Sequence, residues 1–168
     1  MSAPYSIRPE EPRDHAAIYD LTKRAFAPMP FAGGDEQDLI DALRRAGALA
    51  LSLVAEQQSA IVGHVALSPV THESGEDGWF GLGPISVEPA LQRQGIGGAL
   101  IAAAKTRLKA RGARGIILTG APDYYSRHGF LPAPDHAPEN EPARYFMAAA
   151  FEGAPPMGRF RFHPAFYA

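Results

Sequence analysis

The reading turns on Leu82-Gly83-Pro84-Ile85-Ser86-Val87-Glu88-Pro89-Ala90-Leu91-Gln92-Arg93-Gln94-Gly95-Ile96-Gly97-Gly98-Ala99-Leu100. An apolar strand ends at Val87, a short loop follows, and a helix opens on glycines. Pro84 has no N–H, so ladder pairing is expected to fail there, at a bulge or an edge. Gly95, Gly97 and Gly98 remove side chains where a ligand could approach the backbone closely. The first N–H groups of a helix have no intrahelical partner, and the helix dipole adds partial positive charge. Together these features make an anion site suited to a phosphate or pyrophosphate. Glycines at a helix start cost stability, which argues against packing as their only purpose.

Charge points the same way. Between Glu88 and Arg114 the basic residues are Arg93, Lys105, Arg107, Lys109, Arg111 and Arg114, against the one acid Glu88. That segment therefore carries +5, and the remainder of a chain of net charge −2 carries −7. A basic segment on an acidic protein fits an anionic cofactor better than a general polyanion surface. Two phosphate-binding patterns are excluded. No Gly-Lys-Ser/Thr triplet exists for a P-loop. The dinucleotide fingerprint needs a glycine three residues after Gly97, where Leu100 stands, and an acid about 20 residues on, where Ile116 to Leu118 are apolar.

Working outward, the 168 residues suit one domain, residues 1–168. With 46% hydrophobic residues the core needs no staples. The absence of cysteine excludes disulfides, thiolate nucleophiles and cysteine metal sites. The six histidines show no paired ligand spacing, so no metal is expected. The acidic balance and the lack of a DNA or RNA motif argue against nucleic-acid binding. Met1-Ser2-Ala3-Pro4 has no basic-then-apolar pattern, so no secretory signal is expected. The longest apolar stretch, Ala48 to Ala55, is too short for a membrane span. The expected address is the cytoplasm.

The expected elements are a strand at Tyr5–Arg8 and a helix at Pro12–Phe26. A second helix at Asp35–Ala46 has Asp35 as N-cap and Gly47 as its stop. A hairpin of Leu49–Glu56 and Ala60–Ser68 turns at Gln57-Gln58. Next come a strand at Trp79–Val87, a long helix at Gly95–Arg111, a buried strand at Gly115–Thr119 and a short helix at Tyr124–His128. Strands at Arg144–Ala149 and Arg159–Phe162 close the chain. The Pro-rich run Leu131–Pro142 reads as a surface loop. This is an α/β (α+β) pattern: helices interleaved with a mixed, mostly antiparallel sheet that contains at least one strand–helix–strand unit.

Gln92-x-x-Gly95-x-Gly97 resembles the Gln/Arg-x-x-Gly-x-Gly/Ala signature of the GCN5-related N-acetyltransferases. Tyr125-Ser126-Arg127-His128-Gly129-Phe130 is similar to the later Tyr-x-x-x-Gly-Phe motif of that family, in the right order after one helix and one strand. The resemblance runs from about Tyr5 to Phe130. It implies a GNAT-like sheet splayed at an acetyl-CoA site, with acetyl-CoA as acyl-donor cosubstrate. It also implies that Gln92, Arg93, Gln94, Gly95, Ile96, Gly97 and Gly98 hold the pyrophosphate, while backbone N–H groups near Ile85, Ser86 and Val87 face the thioester carbonyl. The implied reaction is direct attack by a primary amine of a small molecule or peptide.

By the same resemblance Tyr125 is the general acid for the leaving sulfur. A phenol of pKa about 10 stays protonated at neutral pH and can donate. His64, on a strand beside the cleft, is the candidate base, and Glu73 and Glu88 are weaker ones. The sequence departs from the family where Gly120-Ala121-Pro122-Asp123 stands in place of an asparagine that contacts pantetheine. Phe26 to Phe31, with Met29, would wall the acceptor site. A non-catalytic CoA- or acyl-CoA-binding module on the same fold is the alternative. The apolar tail Phe160, Phe162, Phe166 and Tyr167 covers either its own core or that of a partner in a homodimer.

Overall fold

The structure, a computed structural model, describes residues 4–30 and 32–167. In chain order its elements are β1 (Ser6–Pro9), α1 (His15–Phe26), α2 (Glu36–Arg45), β2 (Leu51–Gln57), β3 (Ala60–Pro69), β4 (Thr71–His72) and β5 (Trp79–Val87). There follow α3 (Ile96–Ala110), β6 (Gly115–Thr119), α4 (Pro122–Tyr125), β7 (Leu131–Pro132), β8 (Phe146–Ala150) and β9 (Phe160–Arg161). Seven strands form a mostly antiparallel sheet in the order β1-β2-β3-β5-β6-β8-β7, and β4 pairs with β9 separately. The expected mixed fold is the one observed. By contacts the chain falls into two compact units, Met1–Leu67 with Gly83–Ala104, and Ser68–Leu82 with Lys105–Ala168.

In the first unit β1 and β2 run antiparallel from Ser6↔Glu56 to Pro9↔Leu53. The β2–β3 hairpin closes at Gln57↔Ala60. Its two turn residues are Gln58 (φ 50°) and Ser59 (φ 67°), one position later than Gln57-Gln58. Two successive left-handed residues match the right-handed twist of the strands they join. Ile18 of α1 and Ile40 of α2 pack on Val54 of β2. Asp35 sits at the N-cap position of α2, but its side chain makes no cap bond. The turn is held instead by Glu36 Oε2, which accepts from Gly33 N at 2.9 Å, and by Gln37 Nε2, which donates to Gly34 O at 2.9 Å. On the other face of the sheet, a Cβ at Gly63 would lie 3.0 Å from both Ile96 Cγ2 and Leu100 Cδ1. The absent side chain lets the first turns of α3 settle against β3.

β3 and β5 run antiparallel. Glu88 N donates to Val62 O at 2.8 Å, and Val70 N donates to Trp79 O at 3.2 Å. Eight positions separate Val62 from Val70 and nine separate Trp79 from Glu88, so the β5 segment carries one extra residue. That is a β-bulge. The buried positions of β5 change phase from Trp79 and Gly81 to Leu82, Pro84 and Ser86. The extra residue therefore falls around Gly81-Leu82, just ahead of Pro84.

In the second unit β5 and β6 are parallel from Trp79↔Gly115 to Gly81↔Ile117. β6 and β8 are antiparallel from Gly115↔Ala150 to Thr119↔Phe146. The Pro-rich run is not wholly a loop. Leu131↔Ala148 and Pro132↔Met147 pair as the edge strand β7, where a proline is tolerated. Ala137 is fully buried in a core with Trp79, Ile117, Phe146, Phe160 and Phe162. Phe160 and Phe162 thus cover their own core, and Phe162 stacks on Phe166.

Candidate functional site

In the first unit the loop from β5 to α3 begins with a single turn of 3-10 helix at Pro89–Leu91. Gln92 then runs extended, and its Nε2 donates to Val87 O at 3.2 Å, fastening the loop to the end of β5. Arg24 of α1 ion-pairs Glu88 at 2.7 Å. Arg93 has φ 66° and Gly95 φ 90°. Gln92 to Gly95 are exposed, whereas Ile96 is buried as the anchor of the helix start. The first intrahelical bond here runs from Ala99 N to Gly95 O at 3.0 Å. The N–H groups of Ile96, Gly97 and Gly98 precede it and are left for a ligand. No atom lies within 4 Å of where a Cβ would stand on Gly95. Left-handed residues leading into a free helix N-terminus form an anion-binding concavity. Arg93 adds an exposed cation beside it. These features fit a pyrophosphate.

Ile85 and Val87 are half-exposed on β5, and Ser86 between them is 3% exposed. His64 on β3 is fully buried. Its Nε2 lies 2.7 Å from Ser52 Oγ, and Ser52 in turn donates to Glu10 Oε1. Glu10 is held by Arg44 through Nε at 3.0 Å and Nη2 at 2.9 Å, and its Oε2 lies 2.9 Å from His15 Nε2. Burial pushes the His64 imidazole down to about 4, with Glu10 opposing that shift and Arg44 adding to it. His64 is therefore neutral at physiological pH and has no exposed surface with which to meet an amine directly. Of the weaker base candidates, Glu88 is engaged by Arg24, and Glu73 Oε1 accepts from Arg159 N at 2.5 Å.

In the second unit Tyr125 ends α4. A Cβ at Gly120 would lie 2.5 Å from Tyr125 Cε2, so glycine makes room for the ring. Tyr124 packs edge-on at 4.9 Å and Phe130 at 5.9 Å. Burial, with Tyr124 second, pushes the Tyr125 phenol up to about 12. Gly129 takes φ 84°, and Phe130 N donates to Tyr125 O at 3.2 Å. Lys105 donates to His128 O and lies 4.8 Å over the Phe130 ring. The Tyr-x-x-x-Gly-Phe pattern is thus a local fold: a helical turn, a left-handed reversal and a buried anchor. Lys105 stands out in the sequence only as part of the basic segment, and Ser52 and Glu10, which carry no motif, do not stand out at all. Met29 of the expected acceptor wall is 43% exposed, and Phe31 lies outside the described residues, as do Met1 to Ala3. Among the described residues no group of three or more His, Asp or Glu could hold a metal, and no helix is long and apolar enough to cross a membrane.

A mixed sheet with a bulged strand, a glycine loop and a helix N-terminus is an arrangement that suits a pyrophosphate-bearing ligand. Comparison with known proteins specifies the family. The Acetyltransferase (GNAT) family pattern matches residues 15–130, and the chain belongs to that family. It is 33% identical over 131 residues to the uncharacterized N-acetyltransferase YhbS of Escherichia coli K12, covering 77% of this chain and 75% of the relative. It is 32% identical over 146 residues to the uncharacterized N-acetyltransferase YjhQ of the same strain, covering 80% and 78%. A GNAT acetyltransferase from Brucella melitensis, solved with acetyl-CoA, superimposes with a TM-score of 0.87 at 43% identity over 98% of this chain and 99% of that one. Escherichia coli YhbS, solved with CoA, gives 0.88 at 29% identity over 100% and 94%.

Proposed function

We propose that the whole chain works as one acetyl-CoA-dependent N-acetyltransferase domain that acetylates a primary amine of a small molecule or peptide by direct attack. The observation that carries the reading is the left-handed Arg93 and Gly95 leading into the open N-terminus of α3. The 43%-identical Brucella melitensis relative, solved with acetyl-CoA, supports it. Bound acetyl-CoA supplies an acetyl thioester. Arg93 and the N–H groups of Ile96, Gly97 and Gly98 bind the pyrophosphate. Backbone N–H groups of Ile85 to Val87 donate to the thioester oxygen as it gains charge.

Tyr125 Oη donates to the departing sulfur. With the phenol near 12 and a thiol near about 8.5, full transfer is uphill. Tyr125 therefore acts chiefly as a fixed donor that never ionises in the working range. The retained motif tyrosine, Tyr125, favours an enzyme over a passive CoA-binding module. Acidic residues, where they border the acceptor site, would favour a cationic amine.

The test is thermal unfolding with acetyl-CoA, with NAD and ATP as controls, followed by mass-spectrometric detection of an acetylated amine from a panel of diamines and lysyl peptides. Ligand at 100 times its Kd stabilises by roughly 2.7 kcal/mol, a shift of about 5–10 °C at this size. A shift specific to acetyl-CoA together with an acetylated amine supports the reading. No shift at millimolar acetyl-CoA removes it.

A further inference from the structure

His64 is buried, and Glu73 and Glu88 are engaged elsewhere, so the acceptor amine needs another base. The second unit holds a carboxylate at the end of β6. The β5–β6 register stops at Gly81↔Ile117, and among the described residues Leu118 and Thr119 have no ladder partner on the β5 side. Side chains alternate between the two faces of a strand. Ile117 packs with Phe146, Phe160 and Phe162, and Thr119, two residues on, takes the same face. A Cβ at Gly120 would lie 2.5 Å from Tyr125 Cε2 and 3.3 Å from Leu118 Cδ1, so Tyr125 belongs to the opposite face. The Thr119 hydroxyl donates to the Glu141 carboxylate. Glu141 and Tyr125 thus flank the open end of β6 from its two faces.

Backbone bonds fix the loop that presents Glu141. Glu141 N donates to Pro138 O at 3.1 Å, Tyr145 N to Pro142 O at 3.0 Å, and Gly120 N to Tyr145 O at 2.9 Å. Glu141 is half-buried, and among the described residues no cation is paired with it. Burial pushes its carboxyl up, and the Thr119 bond holds it back. The titratable group that faces it is Tyr167, whose phenol is pushed up by burial and then by Glu141, with Asn140 and Arg161 opposing. Asn140 and Tyr167 also help to line a cavity of about 570 Å³, which leaves room for an acceptor on this face.

We propose that Glu141 is the general base of the acetyl transfer, taking the proton of the acceptor amine on one face of β6 while Tyr125 serves the departing sulfur on the other. This rests on the acetyltransferase reading above. Acyl transfer needs its base where nitrogen enters and its donor where sulfur leaves, two separate places around one carbon. The lone pair of the neutral amine forms the C–N bond, and the nitrogen becomes acidic. Its N–H bond breaks, the electron pair staying on nitrogen and the proton passing to a Glu141 oxygen. The C–S bond breaks with its pair on sulfur, which accepts a hydrogen bond from Tyr125 Oη. Glu141 then gives its proton to water, and the thiolate takes one from water. One N–H bond is lost and one S–H bond is gained. Thr119 touches only Glu141 and is a positioning residue.

The experiment compares wild type, Glu141→Gln and Thr119→Val, each as the full chain, on the amine that acetylates best in the panel above. Glu141→Gln should lower kcat about tenfold or more, within the reach of a general base. KM for acetyl-CoA should stay within about twofold of wild type. In wild type kcat/KM for the amine falls toward acid as the amine protonates, and it should fall more steeply once Glu141 protonates, above the ordinary value of 4.5. That break should coincide with the titration of the Glu141 carboxyl followed by carbon NMR in the free protein. Thr119→Val keeps the shape and removes the donated bond, so it should move both to higher pH. The break should be absent from Glu141→Gln. If Glu141→Gln does not fold, Thr119→Val carries the test, because it keeps the carboxylate. Unchanged kcat in Glu141→Gln overturns the proposal, and so does a rise in amine KM alone, which would make Glu141 a docking site only. A break that stays in place in Thr119→Val while the carboxyl titration moves overturns it as well. These outcomes leave the acetyltransferase reading standing. Wild-type protein that neither binds acetyl-CoA nor acetylates any amine overturns both.

Discussion

At the scale of single residues, His64 sets how the protein tolerates acid. Its folded value of about 4 lies below the ordinary value of 6.5. Between those limits the unfolded chain binds the extra proton, so unfolding is favoured as pH falls. The stability is complete above about pH 6.5 and drains away as pH drops through the folded value. The total loss is about 3 kcal/mol at 1.36 kcal/mol per unit. Urea unfolding at pH 7 and pH 4.5 should show it, and His64→Gln should remove most of the difference. Gly129 makes a second case. Its φ of 84° disfavours any side chain, and a Cβ there would lie 2.7 Å from Lys105 Nζ. Gly129→Ala should cost about 1 kcal/mol or more. It should also lower kcat, because Phe130 N no longer holds the Tyr125 carbonyl in place.

At the scale of elements, the glycine loop and the start of α3 act together. Removing the Arg93 guanidinium takes away a charge-assisted contact of about 1.5–3 kcal/mol. Arg93→Ala should therefore weaken acetyl-CoA binding about tenfold or more by titration calorimetry, with the melting temperature of the free protein unchanged. Gly63→Val should do the reverse. It overfills the contact of β3 with Ile96 and Leu100, costing about 1–3 kcal/mol in urea unfolding. The elements readable in the sequence are those whose local signals agree. Gly115–Thr119 is an unbroken apolar run, and it is the strand observed. The long helix shows its glycine start and basic end. The hairpin turn slipped by one residue because Gln58 and Ser59 take left-handed conformations without glycine or asparagine to announce them. β4 and β7 were unreadable because two residues hold no periodicity and pair only through distant partners, Phe160 and Arg161 for one and Met147 and Ala148 for the other.

For the whole molecule, the legible part of the site is the part built from contiguous sequence. The pyrophosphate loop needs glycines and free N–H groups at fixed offsets, and Tyr125 needs a left-handed reversal four residues later, so both leave motifs. The hydrogen-bonded row of Glu10, Ser52 and His64 is assembled from three separate strand and loop positions. It has no spacing to find, and it forms only where β2 pairs with β3 and Glu10 folds over Ser52. The same holds for Lys105, which reaches back over Phe130 from a helix twenty-odd residues earlier. The acceptor lies beyond both kinds of signal, because amine choice is set by loops rather than by the shared sheet.

The most direct test of the account is the split between chemistry and binding in Tyr125→Phe. It removes one oxygen and leaves the ring that packs beside Gly120 and Phe130. Turnover of the acetylated amine and the Kd for acetyl-CoA would be measured side by side on the variant and on wild type. With Tyr125 as the donor to sulfur, kcat should fall about 10²-fold or more, with Kd within about twofold of wild type. Equal turnover would contradict it, leaving Tyr125 as a packing residue and the leaving sulfur with some other donor.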